Sequence, residues 1–164
     1  MTYEQTESRL MALTNKINTK FISFDEKNIY NTNKTILKFH VLDNENHPDA
    51  MLGKDGDRKS ASLYDMIPAN PQNYTGYGKW QTGGVMVYKG TVVHYQNGEN
   101  VLEYHLWTQQ WTDMLKNCKF NPQNWPIAFE LLNNCGGPNH EGYIGFQDHG
   151  DNVWYRNIRV KVME

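Results

Sequence analysis

An imidazole beside a carboxylate on neighbouring strands is a simple acid–base device, and the middle of this chain offers one. Val85-Met86-Val87-Tyr88, Thr91 to Gln96, and Asn100 to Trp107 are three β-prone runs separated by Lys89-Gly90 and Asn97-Gly98. Asn-Gly between such runs marks a two-residue hairpin loop, so the segment reads as a β-meander. With that loop, Gln96 pairs with Glu99, Tyr95 with Asn100, His94 with Val101 and Val92 with Glu103. Strand side chains alternate between faces, which puts Val93, Tyr95, Leu102, Tyr104 and Leu106 on a core face. His94, Gln96, Glu99, Glu103 and His105 share the other face. That polar set is either a plain solvent-facing surface or a place for general acid–base work, and both readings stay open here.

Near the C-terminus a second irregularity draws attention. Trp154, Ile158, Val160 and Val162 share one phase of an expected last strand, Val153 to Val162, and Arg156 falls in the same phase. A guanidinium among apolar neighbours must be paired or lie at the lip of a cavity. Alternatively it sits at an edge, its stem packed and its head in water.

The elements that must position these groups are antiparallel strands. At 164 residues the chain can bury one substantial core. Its 21% charged and 13% aromatic residues are a globular composition. A net charge of −2 without any block of like charge argues against nucleic acid and anionic membrane as partners. No apolar run approaches the length that spans a bilayer. Residues 1–20 are polar, with a short helix expected from Glu4 to Leu13. Residues 21–164 are expected to form the β domain. Within it, residues 21–83 hold one or two weak strands and a long loop containing His47-Pro48-Asp49-Ala50 and Gly53-Lys54-Asp55-Gly56-Asp57. Loops of that length are often functional. Residues 108–142 read as Trp- and Asn-rich loops, followed by strands near Tyr143 to Gln147 and Val153 to Val162. Cys118 and Cys135 are too few for a thiol metal site; they read as two ordinary thiols, or as one disulfide in an exported protein. Glu4, Glu7, Arg9 and Lys16 break up the N-terminus, unlike a signal peptide. As written the chain is expected in the cytoplasm, or in the periplasm or outside the cell if it is a piece of a longer exported protein.

Four ordered motifs carry a more specific message. The run from Gly142 through Ile144-Gly145-Phe146-Gln147-Asp148-His149-Gly150 to Val153-Trp154-Tyr155-Arg156-Asn157-Ile158 resembles the closing signature of the 3-keto-disaccharide hydrolase family. Three other pieces match in the family's order. They are Val41-Leu42-Asp43-Asn44 with His47-Pro48-Asp49, then Ser62-Leu63-Tyr64-Asp65, then Gly78-Lys79-Trp80 leading to His94-Tyr95-Gln96-Asn97-Gly98. The resemblance runs from about residue 36 to the end.

This resemblance implies an all-β fold, a concanavalin-like jelly-roll sandwich of two antiparallel sheets with a ligand groove on the concave face, here lacking some N-terminal edge strands. It implies cleavage of sugars oxidised at C3, whose ketone acidifies the hydrogen on C2. The implied catalytic residues are His149 or His94 as base and Arg156 at the developing enolate. Gln147, Asp148, Tyr64, Asp65, His47 and Asp49 would hold the sugar, and Trp80 would stack on its ring. The family admits a divalent metal, but no complete ligand set can be named here and no cofactor is assigned. The implied partner is a small-molecule or oligosaccharide sugar. Relatives carry an acidic residue and a Gln where this chain has Lys38 and His40, a departure that suits a non-catalytic carbohydrate-binding module of the same fold.

Overall fold

The computed structural model describes residues 37, 39–142, 144–146 and 152–163. They belong to two units, Leu37–Cys135 and the residues from Gly136 onward. The expected helix from Glu4 to Leu13 lies outside the described residues.

The first unit is organised by one antiparallel sheet in the order β1-β2-β3: Gly83–Tyr88, Thr91–Gln96 and Glu99–His105. Both connections are two-residue turns, as their residues require. Lys89 and Gly90 have φ of 47° and 84°, and Asn97 and Gly98 have 50° and 86°. Two successive positive φ values match the right-handed strand twist, and Asn-Gly accepts them at least cost.

Register departs from expectation one step beyond the second turn. Gln96 pairs with Glu99 and Tyr95 with Asn100, but His94 then pairs with Leu102, Val93 with Glu103 and Val92 with Tyr104. Val101 is the extra residue of a β-bulge. Its carbonyl accepts from the Asn70 backbone N–H at 2.7 Å, and its side chain is buried with Ala61 and Ala69. A one-residue slip exchanges faces. The core face of the meander therefore carries Val92, His94 and Gln96 opposite Leu102 and Tyr104, all buried, while Tyr95 is turned toward solvent. The expected outward polar face is half wrong: Glu103 and His105 are exposed, and His94 and Gln96 are inside.

Two helices occupy what reads in the sequence as loop. The first, α1 (Gln109–Lys116), starts at Thr108, whose hydroxyl oxygen accepts the Trp111 backbone N–H at 3.1 Å. Trp111 and Leu115, one turn apart, are its buried side chains. The second, α2 (Pro126–Asn133), has Pro126 in its first turn, where a missing N–H costs nothing, and buries Ala128 and Leu132. The helices pack on each other, and α1 packs on β3. The Trp111 ring stacks on Tyr104 at 5.5 Å and its indole N–H donates to the Leu132 carbonyl at 3.1 Å. Leu63, Val92, Leu102, Tyr104, Leu106, Trp111, Leu115 and Leu132 make the main core. The architecture is thus β-rich, one antiparallel sheet with short helices on its core face. The second sheet of a sandwich is not formed among the described residues.

In the second unit, Gly136 at φ 83° leads into a single 3-10 turn, Gly137–Asn139. The expected strand near Val153 to Val162 is not formed among the described residues, and neither is one at 144–146. A strand exists by hydrogen bonding to a neighbour, and no described segment pairs with 152–163. Trp154, Ile158, Val160 and Val162, expected to face a core, are exposed. Cys118 and Cys135, both in the first unit, are free thiols.

Candidate functional site

The long loop between residues 40 and 70 is held by its own polar groups. Pro48–Met51 is a short 3-10 turn; His47 caps it, its ring Nδ1 accepting the Asp49 backbone N–H at 3.1 Å. Further on, Leu63 makes isolated bridges to Phe39 and Ile67, which fix Tyr64 and Asp65 beside the 3-10 turn. Between these pieces lies Arg58. Its Nη1 donates to Asp49 Oδ1 at 2.6 Å, while Nε and Nη2 donate to the two oxygens of Asp65 at 2.5 and 3.1 Å. Lys119, just past α1, reaches Asp65 Oδ2 at 3.1 Å. The Tyr64 ring is the cluster's other surface: the Arg58 guanidinium lies 5.1 Å from its centroid and the Lys119 ammonium 5.6 Å. The His40 ring meets Tyr64 edge-on at 4.9 Å, and His40 Nδ1 lies 2.5 Å from the Arg58 carbonyl.

Electrostatics follow from that geometry. Burial pushes the Asp49 carboxyl up, but the Arg58 hydrogen bond and charge, with the Tyr64 hydroxyl, outweigh it and hold Asp49 below the usual range. Burial and then the Asp49 and Asp65 charges push the Tyr64 phenol up to about 12. Burial also raises Asp57, whose carboxylate accepts the Lys54 backbone N–H. Burial disfavours charge on Arg58, yet its bonds to Asp65 and Asp49 more than offset that. Neutral phenol, ionised Asp49 and charged guanidinium therefore coexist at neutral pH.

Three residues expected to hold a sugar, Asp49, Tyr64 and Asp65, are thus brought together, with His47 capping the turn that carries Asp49. Trp80 is 53% exposed on a separate loop, whose base is pinned by Gln81 to Thr75 and Asn97. His94 has other neighbours. Its Nδ1 is 2.8 Å from the Ala61 carbonyl, so that nitrogen carries the proton, and Nε2 is left to accept from the Tyr104 hydroxyl at 3.4 Å. Phe39 and Tyr104 flank the ring, and burial lowers its pKa to about 4. Arg156 is exposed in the second unit. Gln147, Asp148 and His149 lie outside the described residues.

Arg58, Lys119 and His40 are the participants that motif reading missed. One signal is available in the sequence: Arg58 stands in a loop with Asp49, Asp57 and Asp65, and carboxylates that become buried need a cation. Among the described residues no three His, Cys, Asp or Glu side chains are grouped to hold a metal, and none of their helices is long and apolar enough to cross a membrane.

The profile of the 3-keto-alpha-glucoside-1,2-lyase-like domain family matches residues 13–161, and the chain belongs to that family. A curated protein of Bacteroides thetaiotaomicron named 3-keto-disaccharide hydrolase is 70% identical over 127 residues. The match covers 77% of this chain and 44% of the relative, so the chain spans less than half of that protein's length. A crystal structure from Parabacteroides distasonis, described as a glycosyl hydrolase, is 21% identical with a TM-score of 0.46 over 52% of this chain and 42% of that one.

Proposed function

We propose that this chain is the sugar-handling part of an enzyme that cleaves 3-keto-glycosides by elimination and hydration. The observation that carries the reading is the 70% identity to a protein named 3-keto-disaccharide hydrolase. In such a substrate the C3 ketone acidifies C2–H. A base removes that proton, and the electron pair forms the C2–C3 enolate. Collapse of the enolate breaks the bond from C1 to the glycosidic oxygen, which leaves with a proton. Water then adds across C1=C2 of the enone, so one water is consumed per bond cleaved. The two-carboxylate route of ordinary glycosidases is not needed.

His149 is the base in this reading, since a histidine titrates near neutral pH. Arg156 receives the charge that develops on the enolate oxygen. Gln147, Asp148, Asp49 and Tyr64 bind ring hydroxyls, with His47 and Asp65 beside them, and Trp80 offers an exposed indole for stacking. His94, enclosed between Phe39 and Tyr104, supports the sheet. The reading implies the family's two-sheet jelly roll for the whole protein.

The test is aglycone release from p-nitrophenyl 3-keto-glucoside and from the unoxidised glucoside. Release is expected from the keto-sugar alone, and His149→Ala should cut the rate by about a hundred- to ten-thousand-fold. Equal release from both sugars refutes the elimination chemistry; a His149→Ala rate equal to the parent's refutes the base. Lys38, standing where relatives are acidic, favours a second reading as a binding module. In that case calorimetry detects keto-sugar binding without release, and Lys38→Glu restores none.

A further inference from the structure

Arg58 lies in none of the motifs that carry the family resemblance, yet it ties together three segments of the candidate cluster, around residues 49, 65 and, through Asp65, 119. The backbone marks the same stretch. Ala61 and Asp65 hold φ of 65° and 59°, a left-handed conformation that residues with side chains rarely adopt, and Ala61 is fully buried. Such conformations persist where the surroundings over-determine them, which is common at binding sites.

The two carboxylates that Arg58 holds are not equivalent. Asp65 is 6% exposed and both its oxygens are engaged, Oδ1 by Nε and Oδ2 by Nη2 and the Lys119 ammonium. Asp49 is 22% exposed and accepts from Nη1 and from the Tyr64 hydroxyl. An ionised carboxylate offers about four acceptor directions, so Asp49 keeps capacity for more. Arg58 serves both at once because its donors are fixed in a planar fork; a lysine ammonium is a point charge and cannot.

We infer that Arg58 is a positioning residue that holds Asp49 and the Tyr64 hydroxyl oxygen as a preformed pair of acceptors for two neighbouring hydroxyl groups of a sugar, with buried Asp65, braced by the half-buried Lys119, as its anchor. The ligand in this inference rests on the carbohydrate reading above; the preformed pair does not. The titratable groups around the pair are His40 against the Tyr64 ring, His47 at the Asp49 backbone, Asp57, Asp65 and Lys119.

Two measurements on the full chain test it. Carboxyl-carbon NMR, with Asp49→Asn for assignment, follows the Asp49 titration; Arg58→Lys should raise its midpoint by at least about half a unit. Where Arg58→Lys does not fold, Asp49→Asn serves instead. The Tyr64 phenol, read by absorbance against Tyr64→Phe, should then titrate lower than in the parent. Calorimetry with methyl 3-keto-α-glucopyranoside as probe should show Asp49→Asn and Tyr64→Phe, each folded, binding roughly five- to tenfold more weakly than the parent. An Asp49 midpoint that ignores Arg58→Lys overturns the positioning role, and a Tyr64 titration that ignores Asp49→Asn overturns the preformed pair. Parental affinity in both Asp49→Asn and Tyr64→Phe overturns the hydroxyl-binding role. A parent that does not bind the probe removes the sugar half along with the carbohydrate reading, and the titrations alone then decide the pair.

Discussion

His94 is 1% exposed, donates from Nδ1 to the Ala61 carbonyl and sits between Phe39 and Tyr104, so charging it inside the fold is costly. Its folded pKa is about 4 against an ordinary 6.5. In that interval the unfolded chain binds a proton that the folded chain refuses, so stability must fall as pH falls. The full contribution is present above pH 6.5, and the loss is complete near pH 4. About two and a half pH units at about 1.4 kcal/mol each is a loss of about 3 kcal/mol. Asp49 and Asp43, whose carboxyls are held below 3.8, lose their stabilisation only below that pH, outside this window. Asp57, raised above 3.8 by burial, acts in the opposite sense and becomes less unfavourable as acid protonates it. Urea unfolding at pH 7, 6, 5 and 4.5 reads the effect in the parent and in His94→Phe. The variant should start about 1 kcal/mol lower for the lost hydrogen bond and show a flatter pH dependence. A parent that is flat from pH 7 to 4.5, or a variant with the parent's slope, would refute the reasoning.

Other expectations concern the core and the turns. Leu115→Ala removes a fully buried α1 side chain from the main cluster and should cost about 2–5 kcal/mol in urea unfolding; a cost under about 1 kcal/mol would mean that α1 does not close the core. Gly90 and Gly98 have nearly equal φ, but a Cβ at Gly98 would meet open space, and at Gly90 the Trp107 ring at 3.0 Å. Both Ala variants should lose about 1–2 kcal/mol for the left-handed backbone, and Gly90→Ala should lose more. Equal thermal shifts would show that Trp107 yields freely.

Both hairpin turns were legible because only a few residues accept two positive φ values in succession, and Asn97-Gly98 is such a pair. The bulge was not. Val101 and Leu102 are adjacent and both apolar, so alternation fits either register, and the choice is made by Asn70 and the Ala61–Ala69 cluster, distant in sequence. The helices carry a signal of their own: Thr108 before Trp111, Met114 and Leu115 at helical spacing, and Pro126 before Ala128 and Leu132. Under an all-β expectation the Trp- and Asn-rich composition of the stretch outweighs that signal and reads as loop. In the candidate cluster, Asp49, Tyr64 and Asp65 came from motif matching, whereas Arg58 and Lys119 depend on a fold that brings residue 119 to residue 65.

Val101 acts on this hairpin as a frameshift acts on a message. Every position from Leu102 onward is read on the opposite side from where an uninterrupted ladder would put it. Pairing Val101 with His94 instead of bulging it would leave Glu103 opposite Val92 and Leu102 opposite Val93, matching a charge to the inside and a leucine to the outside. Deleting Val101 itself would keep Leu102 opposite His94 and Tyr104 opposite Val92, whereas a one-residue insertion or deletion between Leu102 and Leu106 moves every position beyond it to the other side. A relative or an engineered variant without the extra residue can keep the rest of β3, and with it Tyr104 on Trp111, but loses the Val101 side chain from the cluster with Ala61 and Ala69.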